Sequence, residues 1–188
     1  MSDDSAHGVD GWRVAELKLV PDELLSRLAD VLHAVEETGI WPEQVSVGLA
    51  SMLSKNEGMQ PLALRPITVT SIIYRIWAAH HVREFMAWQE AWLSSDIHGF
   101  RQMTGCKDIL FGSALDVEEA LLTGQGLCGL SMDFAKAFDL VPREIIFALA
   151  EHARLPPTVL RVLKGMYSQL TRRFRVGPLV GETFTTSN

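Results

Sequence analysis

Two periods of apolar residues alternate along this 188-residue chain, and neither is sustained for long. Leu24, Leu25, Leu28, Val31, Leu32 and Val35 recur at helical spacing, whereas Val45, Val47 and Leu49 alternate with small or polar neighbours. The first pattern calls for a helix with one apolar face and the second for a half-buried strand. Short segments of both kinds predict helices and strands packed around a shared core. No apolar run approaches the roughly 20 residues that a membrane span needs. The acidic start Met1-Ser2-Asp3-Asp4 lacks the basic opening of a secretory signal. The expected setting is therefore intracellular and reducing, with Cys106 and Cys128 as two free thiols.

Proline and glycine punctuate the segments. The first dozen residues read as a loose lead-in. Pro21-Asp22-Glu23 opens a helix that Gly39 ends, because proline suits the first turn and glycine the left-handed cap. Residues 44–53 read as a strand, 55–58 as a turn, and 62–69 as a second extended stretch that Pro66 confines to an edge. A long helix is predicted over 71–93, with Ile72, Ile76, Ala79, Phe85, Trp88 and Trp92 as its buried stripe. Trp77, His80, His81 and Met86 widen that stripe, and the two histidines read as structural rather than as ligands. Another helix covers 104–123. Residues 127–132, a short apolar run ending at Asp133, read as a buried strand with a carboxylate at its tip. Helices from Pro142 and from Pro156-Pro157 follow, and then strands at 172–176 and 183–186 around Gly177-Pro178.

Charge is unevenly placed. The net charge is −6, but residues 1–60 carry 4 basic and 11 acidic side chains, whereas 131–188 carry 8 and 5. This excludes a general nucleic-acid coat and leaves a local basic face, since salt screens distant charge beyond about 8–10 Å. Asp133, Lys136 and Asp139 around Phe134 and Phe138 suit a site for a metal-bound phosphate. They equally suit a turn cap followed by a helix start. Lys55, Arg65, Arg75 and Arg101 lie in or beside extended segments, as ligands for a triphosphate or as plain surface charge. On these grounds alone no reaction is chosen.

Six stretches, taken in order, resemble the N-terminal part of a reverse transcriptase domain of the non-LTR retrotransposon type. They are Gly8-Val9-Asp10-Gly11-Trp12 with Leu17-Lys18, Gly39-Ile40-Trp41-Pro42, Lys55, Arg65-Pro66-Ile67 with Tyr74-Arg75, Gly99-Phe100-Arg101, and Asp133 to Val141. The last is the most specific, and the resemblance covers nearly the whole chain. Two positions depart from the family pattern, His7 and Ser54, where proline is usual. The stretch resembling Thr186-Ser187-Asn188 leads, in such enzymes, into a Gln-Gly motif, a Tyr-x-Asp-Asp hairpin and a thumb.

The resemblance implies an α+β fold: a partial right-hand polymerase, helix-rich with short antiparallel strands. Residues 1–125 would be fingers and 126–188 the start of the palm, with no thumb. It implies Asp133 as catalytic and metal-binding, with the Phe134 carbonyl as a further ligand to Mg²⁺. Lys55, Arg65 and Lys136 would hold the incoming deoxynucleoside triphosphate, and Phe138 would be the steric gate beneath its sugar. Arg172, Arg173 and Arg175 would meet the RNA template or DNA primer. The complete family member is an RNA-directed DNA polymerase working by two-metal transfer, and most of its metal carboxylates lie in the hairpin, so this chain alone is expected to be inactive. An unpaired palm strand edge at 127–132 would promote self-association, and no membrane is involved. The rival reading is a non-catalytic module that binds an RNA or RNA–DNA backbone. A phospho-acceptor signalling domain is a third, disfavoured because Asp3 and Asp4 follow no strand.

Overall fold

The computed structural model describes residues 3, 5–54, 64–135 and 137–185, with the backbone alone at Ser54 and Asp139. The chain divides into two compact units, residues 1–81 with 143–188, and residues 82–142.

The first unit holds α1 (Val14–Leu17), α2 (Asp22–Thr38), β1 (Val47–Ser54), β2 (Leu64–Val69), α6 (Arg143–His152), α7 (Pro157–Gln169), β3 (Thr171–Val176) and β4 (Leu179–Phe184). The unit boundary falls within α3 (Ile72–Glu90). The second unit continues with α4 (Cys106–Thr123) and α5 (Ala137–Leu140).

The four strands form one sheet in the order β2-β1-β3-β4. β1 pairs antiparallel with β2 and β3 antiparallel with β4, but β1 and β3 run parallel. The sheet is therefore mixed, where antiparallel strands alone were expected. The parallel pair starts where the Thr171 N–H donates to the Ser46 carbonyl at 2.9 Å. β2 lies at the edge, the position that tolerates Pro66. β4 begins at Leu179, four residues earlier than its sequence pattern suggested, because Gly177-Pro178 alone makes the turn.

Helices lock onto this unit through their ends. Asp22 and Glu23 sit in the first turn of α2, at the positive end of its dipole. Gly39 ends α2 in the left-handed conformation, φ 72°, and its N–H donates to Val35 O at 2.7 Å. Arg161 of α7 donates to the Glu36 and Glu37 carbonyls at 3.3 and 2.6 Å, satisfying carbonyls that the helix leaves open. Of the apolar stripe of α2 only Val35 is buried; Leu24, Leu25 and Val31 stay exposed. The opening residues are not loose. Gly8 packs so closely that a Cβ would sit 2.7 Å from the Thr70 carbonyl oxygen. Asp10 Oδ2 accepts from Ser71 Oγ and from the Ile72 N–H, both at 2.8 Å, and so caps α3 from sixty residues away.

The core gathers Val35, Trp41, Val45, Leu49, Ala50, Ile72, Trp77, Leu155, Val159, Leu160, Val162, Met166 and Leu170. At its centre Trp41 meets Tyr74 and Trp77 edge-on, with centroids 5.4 and 6.0 Å apart. On α3 the structure buries Ile72 and Trp77 and leaves Ala79 exposed, and Trp92 lies exposed beyond the helix end, so the predicted stripe is displaced. The reason is polar. Glu36 Oε1 accepts from Trp77 Nε1 at 3.0 Å and contacts His81 Nε2 at 2.8 Å, which turns that side of α3 toward α2. His81 is thus a structural partner of Glu36.

Burial works against the Glu36 charge. Hydrogen bonds from His81 and Trp77, with the charges of His81 and His33, outweigh it and hold the carboxyl below its ordinary 4.5. A carboxylate lowered in the folded state adds stability that is present above its unfolded pKa and is lost as pH falls through the folded value. Urea midpoints should therefore fall between about pH 5 and about pH 3, and Glu36→Gln, which keeps an acceptor oxygen, should flatten part of that fall. Identical pH profiles for the two proteins would take Glu36 out of the effect.

The second unit is built differently. Arg101 donates twice to Glu90, from Nε at 2.8 Å and from Nη2, and its Nη1 donates to the Ser94 and Ile97 carbonyls at 2.9 and 3.1 Å. That fork ties the chain after α3 back onto the helix end. The Gly105 N–H donates to Asp108 at 2.7 Å at the start of α4. No described residue of 82–142 is buried, and Leu110, Phe111, Leu121 and Leu122 of α4 stand exposed. Residues 125–134 form no strand, against the expectation for 127–132; Leu130 and Met132 are 83% and 73% exposed. A strand needs a partner for its backbone groups, and the described residues of this unit contain no strand. The self-association expected from an unpaired edge there loses that basis.

Candidate functional site

The sheet register sorts the basic side chains by face. Residues opposite one another on paired strands point the same way, and the direction alternates along each strand. Arg65 of β2 pairs with Leu53 of β1. Arg173 and Arg175 of β3 pair with Leu49 and Ser51 of β1. Leu49, Ser51 and Leu53 alternate on one side of β1, so Arg65, Arg173 and Arg175 share a sheet face. Arg172 pairs with Gly48 and lies on the other.

Strands lie about 4.8 Å apart and rise about 3.3 Å per residue, which puts the backbones of Arg173 and Arg175 roughly 7 Å apart and those of Arg65 and Arg175 roughly 12 Å apart. Arg65 is exposed and makes no hydrogen bond or ion pair with a described residue. Arg173 Nε donates to Gly181 O at 3.0 Å and Arg175 Nε to Gly177 O at 3.1 Å. Each of these contacts uses one of five guanidinium donors and fixes the planar head, leaving both Nη groups for an anion. The ladder also explains why three arginines collect here. A two-residue step keeps Arg173 and Arg175 on one side, and pairing across β1 adds Arg65.

The acidic motif is in the second unit. Asp133 and Phe134 lie in irregular, exposed chain. Phe138, on α5, is 87% exposed and meets Phe100 edge-on at 6.3 Å. Lys136 and Lys55 lie outside the described residues. Among the described residues no three His, Cys, Asp or Glu side chains are grouped to hold a metal. Asp133 and the Phe134 carbonyl offer two ligand groups, only one of them charged, and a two-metal centre for Mg²⁺ draws on further carboxylates. The described residues therefore do not assemble that centre.

Two of the other basic candidates have structural surroundings. Arg101 is engaged by Glu90 and by carbonyls. Arg75 Nε and Nη2 are buried in the first turns of α3 without hydrogen-bond partners among the described residues, as is Asp10 Oδ1. Sequence reasoning missed Glu90, Glu36 and Asp10. Each is a long-range partner, and nothing at its own position announces that role.

No protein-family model matches the chain, and no curated protein matches it.

Proposed function

We propose that this chain is the fingers and the first part of the palm of a reverse transcriptase of the non-LTR retrotransposon type, that it holds nucleic acid, and that it does not polymerise by itself. The order of the six sequence motifs supports the family. The observation that carries the binding role is the shared sheet face of Arg65, Arg173 and Arg175. Three cations on one sheet face, two of them with anchored heads, suit successive phosphates of a backbone, and an RNA template or an RNA–DNA hybrid supplies them. Catalysis would need carboxylates beyond Asp133.

Binding of an RNA–DNA hybrid by residues 1–188 should follow salt with a log–log slope of roughly −2 to −3, about three phosphates' worth. Raising salt from about 50 to about 200 mM then weakens binding roughly 15- to 60-fold. Arg65→Ala, Arg173→Ala and Arg175→Ala should each flatten the slope by about 1. Primer extension with Mg²⁺ and deoxynucleotides should yield no product. Salt-independent binding would remove the arginine face from the account, and primer extension by this chain would defeat its inactivity.

The second reading, a non-catalytic backbone-binding module, draws on the same face. The two separate on a single measurement, because the reverse transcriptase reading expects deoxynucleoside triphosphate binding that weakens in Arg65→Ala, and the module reading expects none.

A further inference from the structure

The opposite face of the sheet has a different chemistry. Arg172 and Phe174 alternate with Arg173 and Arg175 along β3 and so share that face. Phe184 of β4 pairs with Arg172. Its ring stacks on Phe174 with centroids 4.4 Å apart and planes 17° from parallel. Phe174 nevertheless remains 43% exposed. The stacked pair is thus an aromatic surface partly open to solvent: Phe174 pairs with Ala50 of β1 and Phe184 with Arg172 of β3, although the β3–β4 register shifts between Arg173 and Arg175.

Cations border it. Arg143, at the start of α6, lies 5.5 Å from the Tyr167 ring centroid and donates to the Tyr167 carbonyl at 3.1 Å. Burial and the nearby Arg143 both work against the charge of Arg172, while Tyr167 favours it. Tyr167 is itself 38% exposed. Aromatic rings on the sheet face of Arg172, with Arg143 held at Tyr167, suit a ligand that combines flat π-faces with phosphates, which is single-stranded nucleic acid.

We propose that the Phe174–Phe184 surface binds unpaired bases of a single-stranded nucleic acid, with Arg172 and Arg143 drawing the adjacent phosphate. For its class of ligand this rests on the nucleic-acid reading above; the face, the residues and the mode of contact are separate from it. Arg65, Arg173 and Arg175 hold backbone without regard to base stacking. The second face requires bases that are free to stack.

The test uses residues 1–188 and short oligonucleotides carrying 2-aminopurine, as RNA and as DNA, beside an abasic phosphodiester of equal length. Stacking quenches 2-aminopurine. Binding should quench it, and base-bearing strands should bind about 5- to 150-fold more tightly than the abasic one. Phe174→Leu should abolish the quenching and that preference while leaving the abasic affinity unchanged, and Phe174→Trp should retain both. Circular dichroism checks that each variant folds, and because leucine and tryptophan fill the site, their contrast holds even if Phe174→Ala does not fold. A preference for bases in either the RNA or the DNA arm supports the site, and a difference between the arms reports on the 2′-hydroxyl. Equal binding of base-bearing and abasic strands, still dependent on Arg65, would overturn this site and leave the arginine face standing. Absence of binding to every strand would overturn both. Unchanged strand binding by Phe174→Leu, with a shift from dimer to monomer, would identify the face as a protein contact and overturn the proposal.

Discussion

Trp41→Ala is expected to cost about 3–5 kcal/mol of folding stability, the range for deleting a buried aromatic. Total stability is typically about 5–15 kcal/mol, so the variant should be largely unfolded at modest denaturant. Two side-chain contacts set the size of the effect. Trp41 is 3% exposed, and its ring fills the space between Tyr74 and Trp77 of α3. Its Nε1–H donates to Val162 O of α7 at 3.1 Å. Its backbone N–H donates to the Gln169 side chain at 3.2 Å, a bond that alanine keeps. One residue of a connecting segment thus joins two helices, and its loss opens a cavity bounded by both. Trp41→Phe keeps most of the ring and loses the indole donor, so it should cost about 1 kcal/mol for the hydrogen bond plus a smaller packing loss. Urea denaturation followed by circular dichroism orders the three proteins. An alanine variant within about 1 kcal/mol of the parent would show that the surroundings collapse onto the site, contrary to the packing described.

The same tryptophan shows what could be read in advance. Gly39-Ile40-Trp41-Pro42 was recognisable as a motif, and Gly39 as a helix end, from local chemistry alone. That the motif's tryptophan is a keystone depends on α7, more than a hundred residues later, and no local pattern carries that. The helices α2, α3, α4, α6 and α7 were legible because period and punctuation agree. The hairpin of β3 and β4 was legible through Gly177-Pro178. The parallel pairing of β1 with β3 was not, since register between distant strands is a tertiary fact. Residues 127–132 misled for a related reason. Leu127, Leu130 and Met132 make a short apolar run, but such a run without a pairing partner leaves irregular chain. The basic face was half legible. Arg173 and Arg175 stood out as a cluster, yet only the ladder across β1 joins Arg65 to them and sends Arg172 to the other side. Arg101 had looked like a possible phosphate ligand and instead holds Glu90.

Gly165→Ala and Gly112→Ala should move stability in opposite directions although both replace glycine inside a helix. Helix propensity alone favours alanine by about 1 kcal/mol at either position. At Gly112 of α4 a Cβ would meet nothing within 4 Å. The full propensity gain should therefore appear there, as slower amide exchange along α4 and a stability gain of about 0.5–1 kcal/mol for that segment. At Gly165 of α7 a Cβ would lie 1.7 Å from the Gly39 carbonyl oxygen. That oxygen belongs to backbone and cannot rotate away. Gly39 itself is held by its left-handed φ and by its N–H bond to Val35 O. Arg161, which bonds the Glu36 and Glu37 carbonyls, crosses the same junction. Relief therefore requires α2 and α7 to separate, and the separation loosens Val159, Val162 and Met166, all nearly fully buried on α7. Overpacking of this kind costs about 1–3 kcal/mol or more, and a clash with unyielding backbone lies at the upper end, so after the propensity gain of about 1 kcal/mol the net change at Gly165 should be destabilising by about 2 kcal/mol. Denaturant midpoints read the Gly165 variant, and hydrogen exchange resolves α4 in the Gly112 variant. A Gly165→Ala protein as stable as the parent would mean that α2 and α7 do not meet at Gly39. A Gly112→Ala protein that loses protection in α4 would mean that something covers Gly112 in solution.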